Sequence, residues 1–160
     1  MCIRDSPYAG PDSIKTFDLV RAKIQMPSVP YYGRLTNHPG IGYLSVTSFT
    51  DKTAQEVKEA LEALKGGDEL QGLILDLRGN GGGLLDAAVA LVGYFVPKGT
   101  EVVRTRGRGV MDEKVYKTTV SPILPDTPLA VLVDGGTASS SEITSGALQD
   151  LDRAVILGSR

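Results

Sequence analysis

With only one cysteine, Cys2, the chain cannot close a disulfide of its own, so its stability has to come from a packed core. The same scarcity leaves its compartment open, since exported proteins without disulfides are common. Charge of one sign is also not in excess. Seventeen basic against nineteen acidic side chains give a net charge of −2, too even to create the positive field a phosphate backbone requires, which argues against nucleic acid as a partner. No long hydrophobic run occurs. The longest, residues 84–96, is interrupted by Asp86 and Gly93 and falls short of the roughly 20 residues that cross a bilayer. Residues 1–6 are polar and carry no secretory signal, and they read equally well as a cloning or sequencing scar.

What the chain does contain is an ordinary globular balance over 160 residues, 41% apolar and 22% charged, enough for one domain with a real core. Residues 15–24 alternate in the manner of a strand, and Pro27 and Pro30 then break the pattern. The stretch 25–40, with three prolines, Asn37 and two glycines, reads as a connector, with a boundary near Pro30. A strand is expected over 41–49. Thr53-Ala-Gln-Glu56 has the form of a capping box, and Ala54, Val57, Leu61 and Leu64 then recur at helical spacing until Gly66-Gly67 supplies a left-handed stop. Residues 73–77 form a short apolar run of the buried-strand type, and a Gly-rich segment leads from it into a second helix over 84–95. A hairpin over 101–106 and 113–119, a buried strand over 129–133, a third helix from about Ser139 and a last strand over 154–157 complete an α/β order with a mostly parallel sheet and flanking helices.

Chemistry in such a sheet belongs at the carboxyl ends of the strands. Two strand-to-helix junctions lie there, Asp76-Leu-Arg-Gly-Asn-Gly-Gly-Gly83 and Asp134-Gly-Gly-Thr-Ala-Ser-Ser-Ser-Glu142. The glycines of the first can expose several N–H groups as an anion or oxyanion cradle, although a plain tight turn explains them as well. Neither junction has the Gly-Lys-Ser/Thr ending of a P-loop or the Rossmann glycine spacing, so nucleotides are set aside. The second junction places hydroxyls at Thr137, Ser139, Ser140 and Ser141 at a helix start, a good seat for a nucleophile and equally a correct capping box. The only histidine, His38, lies in the connector and reads as a solvated loop residue. A lysine is then the remaining base, yet those at 52, 58, 65, 98, 114 and 117 are no obvious partners. Asp76 reads as a turn-stabilising acceptor for the Gly-rich loop's amides, and Asp150 as a helix-end residue.

Residues 72–83 and 131–143, followed by Gly146-Ala-Leu-Gln-Asp150, resemble the C-terminal processing peptidases, also called tail-specific proteases, over about residues 15–160. Two separated motifs in the right order make the likeness specific. It implies a Clp protease/crotonase-like core and serine endopeptidase chemistry with a Ser-Lys dyad. By position the resemblance puts the nucleophile on Ser139 and the oxyanion donors on the backbone N–H groups of Gly83 and Ser140, with Asp150 as a supporting aspartate. Thr137 and Ser140 stand where the family usually has Ser and Ala. The family's lysine base falls just beyond residue 160, so the fragment by itself is expected to be inactive.

The resemblance further makes residues 1–30 the remnant of a PDZ domain, whose last strand is residues 17–24, with its connector, and 31–160 a partial peptidase core. It implies protein or peptide substrates with exposed C-termini, an extracytoplasmic setting and no metal or organic cofactor, and it leaves room for a homo-oligomer. Two rivals remain at this point: a non-catalytic ligand-binding domain on the same fold, with Ser139 only a helix cap, and acyl-CoA chemistry of the crotonase type.

Overall fold

The computed structural model describes residues 26–67, 69–107 and 113–159. The expected strand over 15–24, the PDZ remnant and the tip of the hairpin lie outside these residues. The element order is β1 (Tyr31–Leu35), β2 (His38–Ser45), α1 (Thr53–Lys65), β3 (Gly72–Asp76), α2 (Leu85–Gly93), β4 (Glu101–Arg106), β5 (Glu113–Lys117), β6 (Leu129–Val133), α3 (Ser140–Asp150) and β7 (Val155–Gly158). Five strands form one sheet in the order β1-β2-β3-β6-β7, and β4 pairs with β5 in a separate ribbon. The four strands from β2 to β7 are parallel, and β1 runs antiparallel to β2.

The register explains which side chains make the core. Paired positions in a parallel sheet share a face, so Leu44, Leu75, Val131 and Ile156 line up on one side. The first three are fully buried, and they join Val57, Leu61, Leu91, Val92 and Leu148 of the helices, and Phe95 just after α2, in one cluster. Each such side chain contributes about 1.5–3 kcal/mol by leaving water. The other side carries Tyr43, Ile74, Ala130 and, at its edge, Val155 and Leu157, half-buried or exposed. The helices contact each other in the sequence α1-α2-α3.

Three local expectations are corrected. Residues 31–35 are not connector but β1, turned onto β2 through Thr36-Asn37. The turn is cheap in residues, and the antiparallel ladder satisfies a stretch that prolines alone had suggested was irregular. The capping box at α1 does not form. Thr53 is the first helical residue, its hydroxyl accepts from Thr50 N (2.7 Å), and the Glu56 carboxylate accepts from Val29 N (2.9 Å), which ties the residues before β1 to the helix. Nor is there a left-handed stop: Gly66 keeps φ −75° and closes an ordinary helical bond to Glu62 O (3.0 Å).

Candidate active site

The parallel strands β3 and β6 end side by side, and each delivers its chain into a loop and then a helix. Asp76 closes β3. Its carboxylate accepts from Arg78 N (3.0 Å), Arg78 Nη2 (2.6 Å) and Tyr43 Oη (2.6 Å). The amide bond is the turn-stabilising contact the sequence suggested, and the guanidinium, through both Nε and Nη2, and the phenol add charge-assisted ones. Hydrogen bonding from Arg78 dominates and brings the Asp76 pKa down to about 2. Burial, then the neighbouring Asp76, pushes the Tyr43 phenol up.

The Gly-rich loop that follows is held by its own main chain. Phe49 N donates to Gly82 O (3.1 Å) and Leu84 N to Phe49 O (2.8 Å), a parallel bridge that runs Phe49 alongside Gly83. Gly83 has φ +147°, and a methyl there would sit 2.1 Å from Phe49 O, so only glycine fits. At Gly82 a methyl would lie 2.7 Å from Ser139 Cβ and 2.9 Å from Ser140 N, which shows how closely the two loops are packed.

At the second junction Asp134 Oδ1 accepts from Gly136 N (2.9 Å) within its own loop and from Gly79 N (2.8 Å) across to the other. These two amides, Gly79 first, hold the Asp134 carboxyl below its ordinary range. Thr137 Oγ1 donates to Leu77 O (2.9 Å) and accepts from Asp134 N (3.0 Å). Ser139 then occupies φ 56°, ψ −118°, one of two non-glycine residues with positive φ among those described. It precedes α3 and is exposed. Its N–H donates to the Glu142 carboxylate (2.7 Å). The Glu142 amide faces the Ser139 hydroxyl in return, so the capping box read from the sequence is formed.

Ser140 and Ser141 turn inward. Ser140 Oγ donates to Gly83 O (2.9 Å) and Ser141 Oγ to Asn80 O (2.9 Å), so the first turn of α3 is laced to the Gly-rich loop by hydroxyls. Neither the Gly83 N–H nor the Ser140 N–H has a protein acceptor among the described residues. Two N–H groups without an acceptor among the described residues, on loops packed against each other beside an exposed hydroxyl at a helix start, are the components that acyl transfer uses, donors for an oxyanion and a nucleophile.

The structure therefore brings Ser139, Ser140 and Gly83 to one place. Asp150 is exposed at the other end of the 11-residue α3, about 16 Å from Ser139 at the helical rise. His38 opens β2 at the amino-terminal ends of the strands and is solvent-exposed. A cleft of about 360 Å³ beside the serine junction is lined by Asp134, Thr137, Glu142, Ser145 and Ser159, with no lysine among its lining residues. A larger cavity of about 420 Å³ sits at the opposite end of the sheet, between Leu35, Ile41, Leu73, Leu129 and Val155, and its almost wholly apolar wall offers no reactive group. One residue that sequence reasoning did not single out is Asn80, fully buried in the Gly-rich loop, whereas Glu142 accepts from the serine's own amide as the capping-box spacing implied. A serine followed three residues later by Glu is a readable signal for the latter. An asparagine among glycines carries no signal for burial.

Residues 40–160 match the model of Peptidase family S41. The chain is 39% identical over 154 residues to the carboxy-terminal-processing protease of Bartonella bacilliformis, covering 94% of this chain and 34% of that protein. It is 41% identical over 127 residues to the chloroplastic carboxyl-terminal-processing peptidase 2 of Arabidopsis thaliana, covering 79% and 24%. The chain thus spans about a third or less of these relatives. Among solved structures, the photosystem II D1 C-terminal processing protease superposes with a TM-score of 0.68 at 32% identity, over 85% of this chain and 37% of that one. A putative S41 protease from Bacteroides fragilis superposes at 0.69 over 86% and 39%, with 19% identity, a likeness of fold alone.

Proposed function

This chain belongs to peptidase family S41, and from that premise we propose that it carries the nucleophile and the oxyanion cradle of a serine endopeptidase that cleaves proteins near their C-termini. Ser139 Oγ attacks the scissile carbonyl and its proton passes to a lysine supplied by protein outside the residues described. The N–H groups of Gly83 and Ser140 take up the negative charge of the tetrahedral intermediate. The C–N bond then breaks, the amine leaves with a proton, and water hydrolyses the acyl-enzyme by the same route. Each amide in such a cradle is worth about 10²–10³ in kcat. Asp150 enters only as a supporting residue, a helix length from the reacting atoms. An apolar C-terminal tail docked on a preceding PDZ module, an extracytoplasmic setting and self-association belong to the same proposal.

The observation that carries this reading is the main chain at Ser139. An N-cap ordinarily takes β-region dihedrals, so capping α3 does not require φ 56°, ψ −118°. A non-glycine residue held there costs about 1–3 kcal/mol, and such strain collects at functional sites. The same bend presents a nucleophile at the tip of a sharp strand-to-helix turn. This favours catalysis over a binding domain in which Ser139 is only a cap.

The test is fluorophosphonate labelling together with hydrolysis of an unstructured protein substrate by the full-length protein. Ser139→Ala is expected to abolish both. Labelling that persists in Ser139→Ala moves the nucleophile elsewhere and overturns the proposal.

A further inference from the structure

Asn80 sits between the two halves of the cradle. It is fully buried, and every polar atom it owns is engaged. The side-chain oxygen accepts from Gly82 N (2.9 Å), an Asx-type bond that bends the Gly-rich loop two residues on. The side-chain nitrogen donates to Val46 O (2.8 Å), just past the end of β2. The main-chain N–H donates to Leu77 O (3.2 Å) and the main-chain oxygen accepts from both Ala138 N (3.0 Å) and Ser141 Oγ (2.9 Å). One residue is thereby bonded to β2's exit, to its own glycine loop, and to the serine loop on both sides of Ser139.

We infer that Asn80 is a positioning residue for the oxyanion cradle, setting the Gly83 amide against the Ser140 amide through Gly82 and the serine loop; the inference rests on the function proposed above. The geometry leaves the amide side chain no close substitute. Aspartate keeps the acceptor for Gly82 N but, when ionised, turns an oxygen toward Val46 O, where a donor is required. Leucine fills the space and loses both bonds, which strands two buried main-chain groups. The effect expected is on the transition state and not on substrate docking, because Asn80 is buried and has no surface for a peptide to touch.

The experiment uses the full-length protein and the variants Asn80→Asp and Asn80→Ala, with Ser139→Ala as reference. Expected are a kcat lower by about 10²-fold, comparable to loss of one oxyanion donor, a KM within about twofold, and a parallel loss of affinity for a peptidyl boronate. Affinity for the cleaved product peptide should not change, and fluorophosphonate should still label one site per chain at end point. A purely structural role would lower the labelled fraction and kcat together, and that result overturns the inference, as does a kcat within about twofold of wild type. Should the Asn80 variants fail to fold, Ser141→Ala removes one of the two donors to Asn80 O and is expected to lower kcat several-fold at unchanged KM; an unchanged kcat there also overturns it. Asn80 variants with wild-type kcat beside an inactive Ser139→Ala defeat only this inference, whereas an active Ser139→Ala defeats the peptidase reading and this inference with it.

Discussion

The two strand-to-helix junctions occupy equivalent places at the ends of β3 and β6, yet they put unusual backbone on different residue types. The first places its positive φ values on Gly79, Gly82 and Gly83, where they cost little. The second places one on Ser139, where it costs about 1–3 kcal/mol. The difference follows from what each loop contributes. A loop that offers only N–H groups can be built from residues with no side chain, and gains closeness from them. A loop that offers a hydroxyl must keep a Cβ in a conformation that resists it. The carboxylates that close the two strands differ in a similar way: Asp76 is held by a guanidinium and a phenol, Asp134 by main-chain amides from both loops.

Three substitutions would break or sharpen this contrast. The largest effect is expected from Gly83→Ala. Its methyl would overlap Phe49 O at 2.1 Å, so the bridge must open, with a stability loss above about 3 kcal/mol by thermal or denaturant melting and no measurable hydrolysis. A variant that melts and cleaves like wild type would show that the loop has slack that the contact distances deny. Next comes Asp76→Asn, read against pH. A carboxylate whose folded value is about 2 against an ordinary 3.8 contributes stability that is present above about pH 3.8 and is lost as the pH falls toward 2. Arg78 is half-exposed, with 54% side-chain exposure, so the contribution is on the order of 1–2 kcal/mol after screening. Melting between pH 2 and 5 should decline more steeply for wild type than for Asp76→Asn; equal slopes would remove the ion pair from the account of the first junction. The smallest effect is expected at Ser139 itself. Relief of strain, offset by the roughly 0.5–1 kcal/mol flexibility cost of glycine, should leave Ser139→Gly more stable than Ser139→Ala by about 1 kcal/mol. Both are expected to be inactive. If the alanine variant is the more stable, the dihedrals at 139 are not strained and the contrast between junctions disappears.

The same contrast shows which parts of the molecule could be read from its residues. The alternation of strand and helix from residue 41 onward was legible because the helices carry a period or a capping signal and the buried strands are short continuous apolar runs: residues 129–133 were expected as a strand and form one, and α3 begins one residue from its expected start. β1 was not legible. Tyr31–Leu35 contains no alternation strong enough to outweigh the prolines around it, and its ladder with β2 is a tertiary pairing. At the candidate site, the types and spacing of Ser139, Ser140 and Gly83 pointed to the two junctions, and resemblance to a family assigned their roles. The bond from Ser139 N to Glu142 was legible as a capping box, since it joins residues three apart; the burial of Asn80 and the cross-loop grip of Asp134 were not, because each depends on two segments meeting that lie apart in the chain or on a side chain turning inward. Asp150 was assigned by resemblance alone, and its distance along α3 is a matter of helix length that a position-by-position match does not convey.

Because Phe49 runs beside Gly83 in a parallel bridge, the Gly-rich segment behaves as a short continuation of strand pairing and not as a flap. Its ordering is completed when the domain folds, so under the function proposed above a substrate arriving there has no loop to immobilise. Amide exchange offers a direct view of this: the Leu84 N–H, bonded to Phe49 O, should be released only in the openings that also release the central strands, and not in the low-energy fluctuations typical of surface loops.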